Sequence, residues 1–397
     1  GEGRAADKVV MRQVVIRHPV VAGLLALVLT LYSLHVLLVS ENVEAKVDFE
    51  GNLPGSEGRE LLATERKQRT NIFFLKAHKC ASSTVQNILM RFGLERGLSF
   101  VLPVANNYIG NPDPFSPDMI DDTLALPSGK YHIFTHHSRY SRESAVEVMF
   151  EDSAFVTILR HPVEVYESIY SYYNFQKMFN ISFSELLNNP EKVSKINRRY
   201  FNRVGFNQMS FDLGFLVEDF SSEPKVLEFV EKIDTEFHLV MMSEWMEASL
   251  VLLADLMNWP LDNVVSLKLN SRPPDSIYLM SPSERETVLS WNTVDYTLYT
   301  HFLNKFRKRI RKYGEDRMKE DIERLLTLNA KLHFRCVKSL NNKGFGHTQA
   351  YKLRDEADRL CYYAARGELA FTEDLRKIQR HTVKVLKKLE SLLSETA

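Results

Sequence analysis

Apolar residues along the chain follow two rhythms. Ile72, Phe73, Phe74 and Leu75 form a continuous β-prone run, as a strand buried on both faces does, and Val85, Ile88, Leu89 and Phe92 then recur at helical spacing. The pairing returns at Ala154–Leu159, followed by Tyr166, Ile169, Tyr170 and Tyr173 on one helical face, with Pro162 suited to a first helical turn. Another strand is expected at Tyr131–Phe134. A fourth, His238–Met242, precedes a helix carrying Met246, Leu250, Leu253 and Met257 on one face, a spacing typical of core. Strands alternating with helices predict an α/β fold, a parallel sheet flanked by helices.

One segment breaks both rhythms. Val20–Val39, "VVAGLLALVLTLYSLHVLLV", holds twenty positions without an acid, lysine or arginine, long enough to cross a hydrocarbon core as one helix. Arg4, Lys8, Arg12 and Arg17 precede it and Glu41, Glu44, Asp48 and Glu50 follow, so residues 1–19 are expected in the cytosol and the rest in a lumen or outside. A cleaved signal peptide is the competing reading. The run exceeds a usual signal core and "LLVSENVEAK" is a poor cleavage site, which favours a signal anchor over residues 20–39. Residues 40–69 are polar and broken by Gly51, Pro54, Gly55 and Gly58, and read as a stem. The functional body is expected over residues 70–397.

Composition narrows the partners. Lys and Arg total 51 against 51 for Asp and Glu, so no basic excess points to nucleic acid. The basic stretch Lys305–Gly314 carries Phe306 and Ile310 four apart, and reads as the solvated face of an amphipathic helix. Three cysteines are too few for a disulfide scaffold and lack metal-site spacing, so no metal is expected. In an oxidising lumen Cys336 and Cys361 are the natural pair, both falling in the C-terminal region, which leaves Cys80 free. Asn180-Ile181-Ser182 is an acceptor sequon that would face the lumen.

The candidate chemistry sits where strands end. "HKCASST", His78–Thr84, joins the first strand to its helix with small side chains, a lysine and three hydroxyls near a helix start. Unsatisfied N–H groups and the helix dipole suit an anion there, phosphate or sulfate above all. The G-x-x-x-x-G-K-[ST] loop is absent, since no glycine lies between Asn71 and Phe92, which disfavours an ordinary P-loop kinase. Ser82 also suits a plain helix cap. Cys80 beside His78 and Lys79 raises a thiol nucleophile as a rival, though a phosphate loop needs only a small side chain there. Thr135, His136 and His137 close the Tyr131–Phe134 strand, where a histidine base or a packed histidine would each fit. Arg160 at a strand tip with Ser168 in the next helix suits a second phosphate, or a surface ion pair. Lys268, Asn270 and Arg272 occupy a Pro-bounded loop that would close over a nucleotide or simply turn the chain.

Taken in order, "FFLKAHKCASSTVQNILMRFG", "FVTILRHPVEVYESIYSYY", "SFDLGF", "SEWMEASLVLL" and "LKLNSR" resemble successive motifs of the galactose 3-O-sulfotransferases, the group that includes cerebroside sulfotransferase. The resemblance runs from about Thr70 to beyond Arg272 and fades in the C-terminal hundred residues. It implies a P-loop-like sulfotransferase fold, 3'-phosphoadenosine 5'-phosphosulfate (PAPS) as donor without a metal, and sulfation of the 3-hydroxyl of a terminal β-galactose. The acceptor would be a glycolipid or glycoprotein, the setting the Golgi membrane, and a homodimer is left open. By the same resemblance Lys79, Cys80, Ala81, Ser82, Ser83 and Thr84 form the 5'-phosphosulfate loop, and Arg160 and Ser168 the 3'-phosphate pair. Asn270 and Arg272 join the donor site, Lys79 neutralises the leaving group, and His137 is the expected base, with His78 second. Cys80 departs from the threonine usual in relatives, and the C-terminal stretch from Phe334 onward matches little. A glycosaminoglycan-type sulfotransferase acting at another sugar position, or an inactive glycan- or nucleotide-binding relative, are the alternatives.

Overall fold

Where the strands lie is decided by burial. The computed structural model describes residues 67–189, 191, 204–269, 272, 277–341 and 350–395. The expected cytosolic tail, the membrane span 20–39 and nearly all of the stem lie outside the described residues, as does Asn270. Among the described residues no helix is long and apolar enough to cross a membrane.

Strand β1 (Ile72–Leu75) is buried at every position and ends in the loop that leads to α1 (Ser82–Glu95). Two-residue strands β2 (Phe100–Val101) and β3 (Ile133–Phe134) follow, then α2 (Arg142–Val148), β4 (Ala154–Leu159) and α3 (Pro162–Tyr172). Short helices α4 (Phe175–Phe179), α5 (Phe183–Leu187) and α6 (Gln208–Asp212) lead to α7 (Glu223–Glu236), β5 (Leu239–Met242) and α8 (Met246–Met257). Among the described residues that follow come α9 (Pro282–Trp291), α10 (Thr293–Tyr313), α11 (Glu315–Cys336), the hairpin strands β6 (Val337–Asn341) and β7 (Ala350–Leu353), α12 (Arg359–Ala364) and α13 (Glu368–Glu395).

The main sheet is parallel throughout, in the order β2-β3-β1-β4-β5. Ile72 pairs with Ile133 on one side and Ala154 on the other, while Leu159 pairs with Met242. The chain leaves β1 toward β2 and leaves β4 toward β5, so a crevice opens between the carboxyl ends of β1 and β4. Ligands of open α/β sheets bind at such switch points.

The expected α/β fold is therefore present, with three local differences, one being that β5 begins at Leu239 and not at His238. Tyr131 makes only an isolated bridge to Met149, and the strand starts at Ile133. Strand β2 was not expected, because two residues carry no period. Phe73 anchors the core with ring centroids 4.6 Å from Phe134 and 4.9 Å from Phe155. Gly93 lets α1 press onto the sheet, since a Cβ there would lie 2.4 Å from the Phe100 ring and 2.6 Å from Ile133. At the sheet edge, Gln379 of α13 accepts from the Phe100 N–H (2.9 Å) and donates to its carbonyl (2.8 Å), so the C-terminal helix covers β2. Cys336 and Cys361 form the expected disulfide, with Cα atoms 5.0 Å apart.

Candidate active site

The loop after β1 turns without glycine. Lys79 (φ 59°) and Ala81 (φ 58°) are both left-handed and bracket Cys80, at a cost of roughly 1–2 kcal/mol each. Strain of this kind persists only where surrounding contacts hold it. Here the Ser82 hydroxyl donates to the Ala77 carbonyl (2.8 Å) and an Arg160 N–H to the Lys79 carbonyl (3.0 Å). Ser82 is thus a brace of the loop and makes no cap; the N-cap, Ala81, has no side-chain hydrogen bond to give. Cys80 is fully buried, its thiol directed at the His78 carbonyl (3.3 Å) and pushed well above its ordinary pKa by burial, which removes the thiolate a nucleophile needs.

Positive charge gathers around this loop. The Lys79 ammonium lies 3.8 Å from the centroid of Tyr172 and, among the described residues, has no carboxylate partner. Burial first, then the neighbouring charges of Arg272, Lys76 and Arg160, lower its pKa to about 7. A site that makes its own lysine hard to protonate is a site shaped for an anion. Arg160 stands at the tip of β4, across the crevice from the loop. The hydroxyls of Thr84 and Ser168 make no hydrogen bond among the described residues and remain available. Arg272 is engaged differently, as a two-pronged pair with Glu167 of α3 (3.0 and 2.5 Å), one residue before Ser168. That pair fastens Arg272 to α3 and brings a cation near Lys79.

Both expected histidines are present, with different partners. His137 presents Nδ1 to the Lys76 carbonyl at 3.0 Å and Nε2 to the Lys76 ammonium at 3.1 Å, so Nδ1 carries the proton and Nε2 accepts. Burial, then the charge of Lys76, holds its pKa well below the usual value. Lys76, 2% exposed, also binds Glu368 of α13 at 2.6 Å. Burial alone would raise the Glu368 carboxyl, but the Lys76 charge and hydrogen bond keep it below its ordinary value. His136, expected beside it, turns into the core, with Nε2 2.8 Å from the Thr372 hydroxyl and its pKa lowered to about 3 by burial.

His78 lies parallel to His137, ring centroids 4.1 Å apart. Its Nδ1 lies 2.8 Å from Asp212 Oδ2, and that same oxygen accepts the His78 backbone N–H at 2.8 Å. With Nδ1–H donating to the carboxylate, Nε2 is left with its lone pair, 2.9 Å from the Tyr108 hydroxyl. Asp212 reaches this position from the end of α6, whose Met209 and Ser210 N–H groups are held by buried Asp295 (3.1 and 2.8 Å). Gly214 completes the turn at φ 89°, where a Cβ would lie 2.5 Å from the Tyr140 carbonyl oxygen.

Sequence reasoning missed Lys76, Tyr108, Asp212 and Glu368. Asp212 lies within "SFDLGF", a stretch already singled out, and Lys76 lies three residues before Lys79. Tyr108 and Glu368 carry no local signal.

Comparison with known proteins gives the family. A sequence profile of the galactose-3-O-sulfotransferase family matches residues 7–383. The chain belongs to the galactose-3-O-sulfotransferase family. Among members of that family, bovine galactosylceramide sulfotransferase (Bos taurus) is 31% identical over 68% of this chain and 64% of its own length. The human galactosylceramide sulfotransferase (Homo sapiens) is 31% identical over 74% of this chain and 69% of its own. Human galactose-3-O-sulfotransferase 2 is 32% identical over 79% of this chain and 78% of its own. The chain thus spans just under two thirds of the bovine protein. Among the described residues no group of three or more His, Cys, Asp or Glu side chains is placed to hold a metal ion.

Proposed function

We propose that this protein transfers the sulfuryl group of PAPS to the 3-hydroxyl of a terminal β-galactose on a glycolipid or glycoprotein. The observation that carries the reading is the meeting, at the β1–β4 crevice, of Lys79 and Arg160, which have no carboxylate partner among the described residues, and a histidine oriented by a carboxylate. Family membership supports the donor and the sugar position.

The donor brings an activated sulfuryl group joined to a phosphate that can leave. Lys79 neutralises charge growing on the bridging oxygen, and N–H groups of the Cys80–Ser83 turn with the Thr84 hydroxyl hold the 5'-phosphate at the start of α1, the Thr84 N–H being taken by the Ala81 carbonyl. Arg160 and Ser168 hold the 3'-phosphate, and the segment of Asn270 and Arg272 covers the nucleotide. His78 takes the acceptor proton at Nε2 as the new S–O bond forms and the old one breaks. Asp212 keeps its tautomer and stabilises the imidazolium. His137 is the alternative for this role: its Nε2 faces the Lys76 ammonium, which opposes gain of a proton, whereas His78 Nε2 faces the neutral Tyr108 hydroxyl, whose place an acceptor hydroxyl would take.

The same reading places the protein in the Golgi membrane as a single-pass type II protein, alone or as a homodimer, with residues 20–39 as anchor and the body in the lumen. The charge asymmetry around that segment supports this, and Asn180 of the sequon is exposed. Labelled PAPS with free and 3-O-methylated β-galactosides tests the activity: sulfate should appear at O3 of the free sugar alone, and transfer to the methylated one refutes the position. Protection of the body from protease in sealed microsomes tests the topology.

A further inference from the structure

A cleft of about 440 Å³ opens where the β6–β7 hairpin faces α12 and the start of α13. Tyr351, Lys352, Glu356, Tyr362, Arg366 and Gly367 are among its walls. We propose that this cleft is the acceptor subsite and that it takes an uncharged β-galactoside, stacked on Tyr362. The proposal rests on the sulfotransferase reading above.

Position is the first argument. Gly367 in the cleft wall is followed by Glu368, whose carboxylate holds Lys76, and Lys76 in turn touches His137, on which His78 stacks. The cleft floor and the proton-accepting histidine thus share one chain of contacts. By contrast, a cavity of about 130 Å³ lined by Asp234, His238, Lys305 and Arg309 lies at the amino end of β5, away from the carboxyl ends where chemistry collects.

Attachment is the second argument. Asn87 of α1 donates to the carbonyls of Tyr363 (2.8 Å) and Arg366 (3.4 Å), which ties the α12 wall to the helix that begins at the anion loop. The Tyr351 hydroxyl donates to the Lys268 carbonyl at 2.8 Å, which ties the hairpin wall to the segment leading to Arg272. The Cys336–Cys361 disulfide joins the end of α11 to α12. Both walls are therefore fixed to donor-site elements, as a two-substrate reaction requires of its acceptor site.

Chemistry decides the ligand. The Arg366 guanidinium is taken up by Asp374 (3.0 and 3.3 Å), and Lys352 and Glu356 carry opposite charges. Among the described lining residues the cleft therefore carries no cationic excess, unlike the loop around Lys79 and Arg160. Two tyrosine rings with polar neighbours suit a sugar, because β-galactose gathers C–H groups on one face and hydroxyls at its rim.

Kinetics of the full chain test this, with Tyr362→Ala, Tyr362→Phe and Lys352→Trp, the last meant to plug the cleft from an exposed position. Tyr362→Ala should raise acceptor KM about five- to tenfold, Tyr362→Phe should stay within about twofold of wild type, and adenosine 3',5'-bisphosphate binding should not change. Unchanged acceptor KM in Tyr362→Ala with bisphosphate binding intact overturns the proposal. If Tyr362→Ala no longer binds bisphosphate, Lys352→Trp decides: raised acceptor KM supports the cleft and an unchanged value overturns it. A wild-type preference for acidic over neutral galactosides overturns the uncharged ligand. Wild-type protein that binds bisphosphate yet sulfates no galactoside removes the activity itself, and the subsite with it, a result distinct from any variant outcome.

Discussion

Two lysines three residues apart face opposite fates. Lys76 is sealed inside, its charge met by Glu368 at 2.6 Å and shared with His137. Lys79 lies on the crevice, without a carboxylate partner among the described residues and surrounded by other cations. A compensated charge builds a rigid wall, and an uncompensated one waits for a partner from outside the chain. The first kind of site is made for geometry and the second for binding.

The largest effect should fall on the histidine between them. His78→Ala should lower turnover by about 10²–10⁴-fold and abolish the acidic limb of the pH–rate profile, with bisphosphate binding retained. His137→Ala should cost less and keep that limb. The reverse pattern would return the base to the Lys76 side and erase the contrast.

Next, breaking the compensated pair should cost stability. Glu368→Gln leaves a buried ammonium alone and should destabilise the fold by about 3–5 kcal/mol in urea unfolding. Adding Lys76→Met should recover most of the loss, because no charge is then stranded. Arg160→Ala, on the uncompensated side, should leave unfolding almost unchanged but weaken bisphosphate binding in calorimetry by about 1.5–3 kcal/mol.

The smallest effect is a slope. An anion beside Lys79 favours its charged form and raises its pKa from about 7, so bisphosphate affinity should be full below that pH. Above it, affinity should fall by up to about tenfold per unit, with proton uptake on binding. Lys79→Met should flatten the curve. For folding, the sign is opposite: the unfolded lysine holds its proton up to about 10.5, so this residue makes stability rise with pH between about 7 and 10.5.

How much of this was legible depends on sequence distance. The anion loop, Arg160 and the two histidines could be read because strand, loop and helix follow one another within a few residues, and each local pattern names its element. The partners that set their electrical states could not. Asp212 meets His78 across 134 positions, Glu368 meets Lys76 across 292, and no periodicity joins them. The sequence points to Arg272 as a donor-site candidate, but its two-pronged grip on Glu167 could not be read from it. The C-terminal region was opaque for the same reason: its hairpin and final helix gain meaning only from what they touch.

The Lys76–Glu368 contact also sets an order in time. A ribosome making about 5–20 residues per second delivers Glu368 roughly 15–60 s after Lys76, since 292 positions separate them. Through that interval the strand that opens the sheet is followed at once by a lysine whose neutralising partner has not been made. The earliest strand of the catalytic sheet is thus completed by one of the latest helices, and a nascent chain cannot hold a finished site before α13 has emerged and docked.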